Sequence, residues 1–228
     1  NIDQRMLVIS GPNAGGKSIT LKTLGLLQVM VQAGLFVAAE PENNIGLFKQ
    51  VYSEIGDNQS IENELSTYSY RLKRMKKFLS LSNPDTLLLL DEFGTGSDPE
   101  LGGALAEAFF ESLYRKKIFA VLTTHYSNIK SRAVQLPQAI NGCMLFNAES
   151  LAPLFEFKIG QPGSSFTFEV AQMNGVSNAL IEKAKGKLDK EKLKLNELLS
   201  EKKKKNNDLD SAIKSNQIES KEYKEKAE

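Results

Sequence analysis

Residues 11–18 carry glycine, lysine and serine at spacings that suit phosphate binding. Their sequence, GPNAGGKS, fits the pattern G-x-x-x-x-G-K-[ST]. Glycines let the backbone approach a phosphate closely, and N–H groups at the start of a following helix attract the anion. Lys17 would contact the β- and γ-phosphates of a nucleotide, and the Ser18 hydroxyl would bind Mg²⁺. The predicted nucleotide-binding set is Gly11, Pro12, Asn13, Ala14, Gly15, Gly16, Lys17, Ser18 and Ile19.

The residues on either side of this loop support that interpretation. Residues 6–10 form a short apolar run typical of a buried strand, and residues 19–32 carry apolar side chains at helical spacing. A strand before the loop and a helix after it are the context that the motif requires. The alternative is a glycine-rich turn that matches the pattern by chance, which explains neither flank.

An acidic pair, Asp91 and Glu92, follows the four leucines at residues 87–90. An aspartate at the end of a buried strand beside a phosphate loop is the usual second ligand of Mg²⁺. The adjacent carboxylate can orient and deprotonate a water molecule for attack on the γ-phosphate. Glu92 therefore favours hydrolysis over transfer to a small acceptor. The alternative is that Glu92 is a solvated acid at a strand end.

His125, the only histidine of the chain, follows an apolar run at residues 121–124. We expect it to emerge at the carboxyl edge of the sheet, where ligands bind in open α/β folds. There it could hydrogen-bond to the γ-phosphate or to the attacking water, or it could be a structural histidine. The predicted catalytic residues are thus Glu92, His125 and Lys17, and the predicted metal ligands are Ser18 and Asp91.

Ser66 lies where a helix over residues 67–81 is expected to begin. A small hydroxyl at that position is first of all an N-cap, but a helix N-terminus also attracts anions. No arginine near the phosphate loop is an obvious contact for the γ-phosphate. A helix N-terminus supplied by a second subunit could provide that positive potential.

Predicted strands and helices alternate along the chain, which is typical of an α/β domain with a mainly parallel sheet. Asp98 and Pro99 are suited to cap and start one of the helices. Two strands around a turn at residues 147–150 indicate a hairpin. Strands are expected at residues 6–10, 48–55, 87–90, 118–123, 139–146 and 151–159, and helices at 19–32, 67–81, 99–117, 166–173 and 177–199.

Charge and cysteine content exclude several classes of protein. The formal net charge is +1, with an acidic excess in residues 1–182 and a basic excess in residues 183–228. The body is therefore not a basic nucleic-acid-binding surface, although the tail permits weak phosphate contacts. With Cys143 as the one cysteine, no intrachain disulfide can form, and a cytoplasmic setting is expected. No apolar run is long enough to span a membrane. Because the chain opens at Asn1 next to a core strand, we expect it to begin inside a longer protein.

These segments together resemble the ATPase domain of the MutS family over about residues 7–188. The loop Gly-Pro-Asn-x-Gly-Gly-Lys-Ser is that family's form of the motif, with Asn13 as its distinctive member. Residues 66–68 are similar to the family's trans-acting signature segment. Asp91 and Glu92 are similar to its two acids that serve the metal and the attacking water. Residues 124–126 are similar to its switch-histidine segment. Residues 90–99 are similar to the second bacterial branch of the family, the anti-recombination endonuclease type.

The resemblance implies a phosphate-loop NTPase of the ABC-ATPase-like type that forms a head-to-tail homodimer with ATP and Mg²⁺ between the subunits. Ser66 of one subunit would face the phosphate loop of the other, and Asn13 would steer the γ-phosphate or the metal shell. It further implies an ATPase core at residues 1–160, a helical dimerisation region at 161–187 and a Lys/Glu-rich helical arm or linker at 188–228. The adenine-stacking aromatic is unassigned, with Phe157 as a candidate.

The resemblance implies a motor that hydrolyses ATP, with the family's clamp region expected before Asn1 and its small nuclease domain after Glu228. On this hypothesis the full-length protein controls a clamp on branched or recombining DNA, suppressing recombination, and this fragment has no nuclease activity. The alternatives are action on stalled or collided ribosomes, a small-molecule kinase, and a nucleotide-dependent assembly module without significant turnover. No membrane partner is expected.

Overall fold

The computed structural model of the chain describes residues 4–12, 15–40, 42–56, 64–96, 98–147, 150, 152–163 and 167–187. The predicted arm at residues 188–228 lies outside the described residues, as do Asn13 and Ala14 of the phosphate loop. No described helix is long and apolar enough to cross a membrane.

The described residues form a six-stranded mixed sheet with the order β2-β3-β4-β1-β5-β6. Neighbouring strands are parallel except for β5 and β6, which form the antiparallel hairpin that the sequence predicts. The prediction of an α/β domain with a mainly parallel sheet is confirmed. The strands are β1 (Met6–Ser10), β2 (Gln50–Glu54), β3 (Thr86–Leu90), β4 (Phe119–Thr123), β5 (Ala139–Phe146) and β6 (Pro153–Ile159).

Helices cover both faces of the sheet. The alternation of β3 sends Leu88 and Leu90 into one core cluster and Leu87 and Leu89 into another, so all four are buried. The first cluster also contains residues of α2, α3 and α4, and the second contains Leu21 of α1. The described helices are α1 (Lys17–Gln32), α2 (Glu64–Leu81), α3 (Pro99–Arg115), α4 (Ser127–Gln135), α5 (Thr167–Met173) and α6 (Asn178–Lys185).

Three local features bear on the functional residues. The predicted cap of α3 is confirmed, because Asp98 accepts from the N–H groups of Glu100 and Leu101 at 2.9 and 3.0 Å. The predicted start of α2 is wrong: the helix begins at Glu64, so Ser66 lies inside its first turn rather than at the cap. Helix α4 was not predicted, because Ile129 and Ala133, its two buried apolar residues, give too weak a periodic signal.

The chain divides into two compact units, Asn1–Gly163 and Ser164–Glu228. The first contains the whole sheet and α1 to α4. The second contains α5 and α6, where the N-cap Ser177 accepts from the N–H of Leu180 at 3.4 Å. The three domains expected from the sequence stay a prediction.

Candidate functional site

The phosphate loop connects β1 to α1 and folds around its own lysine. Lys17, the first residue of α1, is buried, and its Nζ donates to the carbonyl oxygens of Gly11 at 2.7 Å and Pro12 at 2.9 Å. Gly16, just before the helix, has a φ of 89°, which lies in the left-handed region that favours glycine. The ammonium group is therefore held within the loop rather than in solvent.

The loop has no room for larger side chains where it meets the hairpin. A Cβ at Gly15 would lie 2.7 Å from the ring of Phe146 and 3.1 Å from Met144 Cβ. After Lys17, Ser18 is half-buried, whereas Ile19 is 67% exposed on α1. The described part of the predicted binding set thus forms one tightly packed loop, with Ile19 on its solvent side.

Asp91 and Glu92 lie at the same edge of the sheet as this loop. They directly follow β3, which pairs with β4, and β4 pairs with β1. Because these strands are parallel, their carboxyl ends meet at one edge. Burial lowers the pKa of Lys17 below its ordinary value, and the negative charges of Asp91 and Glu92 oppose that effect. The lysine and the two acids therefore form one electrostatic cluster.

Thr123, which the motifs do not include, links the two acids. Its Oγ1 donates to Asp91 Oδ1 at 2.6 Å and accepts from the Glu92 N–H at 2.8 Å. It is the last residue of β4 and is fully buried. Sequence reasoning could have identified Thr123 as a polar residue at the end of an apolar strand. That strand lies next to the strand that ends at Asp91 and Glu92.

The backbone of Glu92 is strained. Its φ of 48° lies in the left-handed region, which costs a non-glycine residue about 1–3 kcal/mol and persists only where the surroundings fix it. The Glu92 N–H donates to Thr123, and the Glu92 carbonyl oxygen accepts from the N–H of Thr95 at 3.2 Å. Gly94 lies inside this turn with a φ of 87°, and a Cβ there would lie 2.5 Å from Ala106 Cβ. Only glycine fits that turn.

His125 emerges just after β4, as the sequence predicts. The residue is exposed to solvent, although the surrounding protein partly desolvates its imidazole. This partial burial lowers the pKa of His125, the positive charges of Lys17 and Lys130 lower it further, and the charge of Asp91 opposes them. The imidazole is therefore neutral at pH 7 and can accept a hydrogen bond as well as donate one. The role of His125 in catalysis stays a prediction.

An aromatic residue that the sequence did not single out lies beside the phosphate loop. Phe155 is 67% exposed, has a φ of 54°, and its Cδ1 lies 3.5 Å from where a Cβ of Gly16 would be. Phe157, the candidate for base stacking, instead packs partly buried against the core, with its ring over Gly142. Phe155 is therefore the better-placed aromatic for a nucleotide base.

Oxygen atoms suited to Mg²⁺ are present at this edge. Within the described ranges, no group of three or more His, Cys, Asp or Glu side chains could hold a metal ion. Mg²⁺, however, is commonly bound by one or two carboxylates, with waters and substrate phosphates completing its octahedron. Asp91 and the Ser18 hydroxyl fit that kind of site. Ser66, on α2, is a candidate for a second subunit's site, and that assignment stays a prediction.

Comparison with known proteins agrees with this geometry. Residues 7–192 match the protein family described as MutS domain V. The chain is 47% identical over 194 residues to Endonuclease MutS2 of Carboxydothermus hydrogenoformans, and 43% identical over 199 residues to Endonuclease MutS2 of Enterococcus faecalis. These matches cover 85% and 87% of this chain and 25% of each relative. The chain thus spans about a quarter of the length of these relatives.

The pKa of His125 is expected to lie below its ordinary value of 6.5 in the nucleotide-free chain. As the only histidine, its imidazole gives one set of NMR signals to follow during a pH titration. Because the unfolded chain would bind this proton more readily than the folded chain, the free energy of unfolding should fall as the pH drops below 6.5. His125→Asn should remove that component. A pKa at or above 6.5 would contradict this description of the site.

Proposed function

Since this chain belongs to the MutS family, we propose that it is an ATPase that converts ATP and water to ADP and phosphate. The observation that carries the proposal is the position of Glu92. Its strained backbone is held beside Asp91, at the edge of the sheet where the phosphate loop and Lys17 lie. Strained backbone is found often at functional sites, which supports a functional role for Glu92.

The loop residues would bind the triphosphate of the substrate. Lys17, which now donates to two loop carbonyls, would donate instead to the β- and γ-phosphate oxygens. Ser18 and Asp91 would hold Mg²⁺, which neutralises the charge that develops on the phosphate oxygens. Phe155, exposed beside Gly16, would stack on the adenine base.

Glu92 would act as the general base in hydrolysis. Its carboxylate would accept a proton from a water molecule as the water oxygen bonds to the γ-phosphorus and the bond to the bridging oxygen of ADP breaks. His125 would hydrogen-bond to the attacking water or to the γ-phosphate. The same histidine could then sense whether the γ-phosphate is present.

The site would be completed by a second copy of the chain. Ser66 lies in the first turn of α2, where N–H groups and the helix dipole favour an anion. This end of α2 would face the phosphate loop of the partner subunit. The second unit exposes the apolar side chains of Val170, Met173 and Leu180, which supports a role for α5 and α6 in dimerisation.

We propose that this ATPase cycle controls a clamp on branched DNA in the full-length protein. The relatives are named endonucleases, but they are about four times as long as this chain. Nuclease chemistry is not proposed for the residues described, because all the acids of the site serve the nucleotide. The motor itself would supply the ATP-driven change of state.

Glu92→Gln is expected to keep ATP binding and lose turnover, because the side chain keeps its shape but cannot accept the proton. The loss should be at least about a hundredfold, the lower range for general-base catalysis. Phosphate release with Mg²⁺ measures turnover, and titration with a labelled nucleotide measures affinity. Lys17→Ala is the contrasting variant and should lose affinity. Normal turnover by Glu92→Gln would contradict the assignment of Glu92 as the general base. Intact ATP after long incubation with the unaltered dimer would instead indicate an assembly module without significant turnover.

The DNA role is tested with protein of the full length of the relatives. Four-way DNA junctions should bind more tightly than linear duplex, and more tightly in one nucleotide state than in another. Cosedimentation with collided ribosomes is the parallel measurement. Tight ribosome binding together with equal affinity for junction and duplex would contradict the DNA role and assign the motor to ribosomes.

A further inference from the structure

The carbonyl group of Glu92 is held by a threonine on the far side of the same turn. Thr95 donates to the Glu92 oxygen twice, from its N–H at 3.2 Å and from its Oγ1 at 2.9 Å. Thr123 holds the N–H of Glu92 from the opposite side at 2.8 Å. The strained backbone of Glu92 is thus fixed at both ends by threonines.

Arg71 of α2 contacts Thr95 and orients its hydroxyl. One nitrogen of the guanidinium, Nη1, donates to the Thr95 carbonyl oxygen at 3.2 Å and also to Thr95 Oγ1. Arginine has donors only, and a threonine hydroxyl has one proton. Because Oγ1 accepts from Arg71, its own proton is directed to the carbonyl oxygen of Glu92. Removing Arg71 would leave that hydroxyl free to turn away.

The guanidinium lies in an ordered setting rather than on a freely moving surface side chain. Arg71 is half-buried. Burial raises the pKa of Glu54, and the positive charges of Arg74 and Arg71 oppose that effect, which places the guanidinium of Arg71 near this carboxyl group. Glu54 ends β2, and its carbonyl oxygen accepts from the Asp91 N–H at 2.8 Å. The ring of Tyr68, also on α2, lies close to the same loop, 3.7 Å from where a Cβ of Gly96 would be.

We propose that Arg71 is a positioning residue for ATP hydrolysis, which holds Glu92 of its own chain in place by way of Thr95. This inference rests on the proposed function of Glu92 as the general base. It implies that α2 has two duties, because Ser66 at its start would serve the partner's site while Arg71 serves its own. A shift of α2 on nucleotide binding at the partner's site would then move Thr95 and Glu92, so that binding at one site changes hydrolysis at the other.

The first test separates hydrolysis from binding in the 228-residue chain. Arg71→Ala and Thr95→Val should each lower kcat roughly tenfold, as expected for loss of a charge-assisted hydrogen bond. Nucleotide affinity should not change, since neither residue belongs to the phosphate loop. Thr95→Ser keeps the hydroxyl and should retain turnover. Lys73→Ala, which removes an exposed cation from the same helix, and Thr23→Val on α1 are the matched controls and should behave as the unaltered chain.

The double variant tests whether Arg71 acts through Thr95. If it does, Arg71→Ala with Thr95→Val should lose less than the product of the two single losses. Hydrogen exchange gives a readout that does not need activity: the amides of Glu92 and Thr95 should exchange faster in Arg71→Ala, and those of β3 should not. Full additivity of the kcat losses would overturn the proposal. Unchanged exchange at both amides would overturn it even if the chain hydrolyses no ATP.

Mixed dimers test which chain's Glu92 depends on Arg71. Lys17→Ala and Ser66→Arg chains should each be inactive alone, but mixing them restores one site, with Lys17 and Glu92 from the Ser66→Arg chain. Adding Arg71→Ala to that chain should lower the restored turnover, and adding it to the Lys17→Ala chain should leave it unchanged. Loss only from the Lys17→Ala chain would overturn the proposal, because Arg71 would then act on the partner's site. Absence of any restored turnover would contradict the shared site. The role of Arg71 would then be decided by the kcat and hydrogen-exchange measurements on single variants.

Discussion

A single backbone conformation at Glu92 governs how the site is built. The residue follows the buried strand β3 but turns at once into the left-handed region, which directs its side chain differently from a continued strand. That turn is stable only because Thr123 holds the N–H and Thr95 holds the carbonyl. The general base of the proposed reaction is thus positioned by Thr123 on β4 and by Thr95 on the loop that follows Glu92.

The parallel sheet brings those neighbours together. Because β3, β4 and β1 are adjacent and parallel, their carboxyl ends place the acidic pair, Thr123 with His125, and the phosphate loop along one edge. The same edge carries opposing charges, with Lys17 near Asp91 and Glu92. A bound triphosphate would add negative charge there, which makes the partly desolvated His125 easier to protonate. Nucleotide binding and the charge of this histidine are therefore coupled.

Much of this arrangement follows from the sequence alone. The phosphate loop, the four leucines of β3 and the Asp98 cap each depend on local patterns, and the structure places them as expected. Tertiary contacts decide the rest. The strain at Glu92 depends on Thr123 and Thr95, which are distant or unremarkable in sequence. The existence of α4 depends on the packing of Ile129 and Ala133 in the core rather than on periodicity. Phe155, near the loop, has a positive φ and lies where the pairing of β5 with β6 is irregular, which the sequence pattern does not predict.

On the proposed function, one chain would present only half of the site that this chemistry requires. In that proposal the phosphate loop supplies Lys17, and the start of α2 from a second copy supplies further positive potential. Sedimentation of the 228-residue chain with Mg²⁺ and a non-hydrolysable ATP analogue tests this requirement most directly. We expect a monomer without the analogue and a dimer with it. A chain that stays monomeric, although binding measurements show it saturated with the analogue, would contradict the shared site.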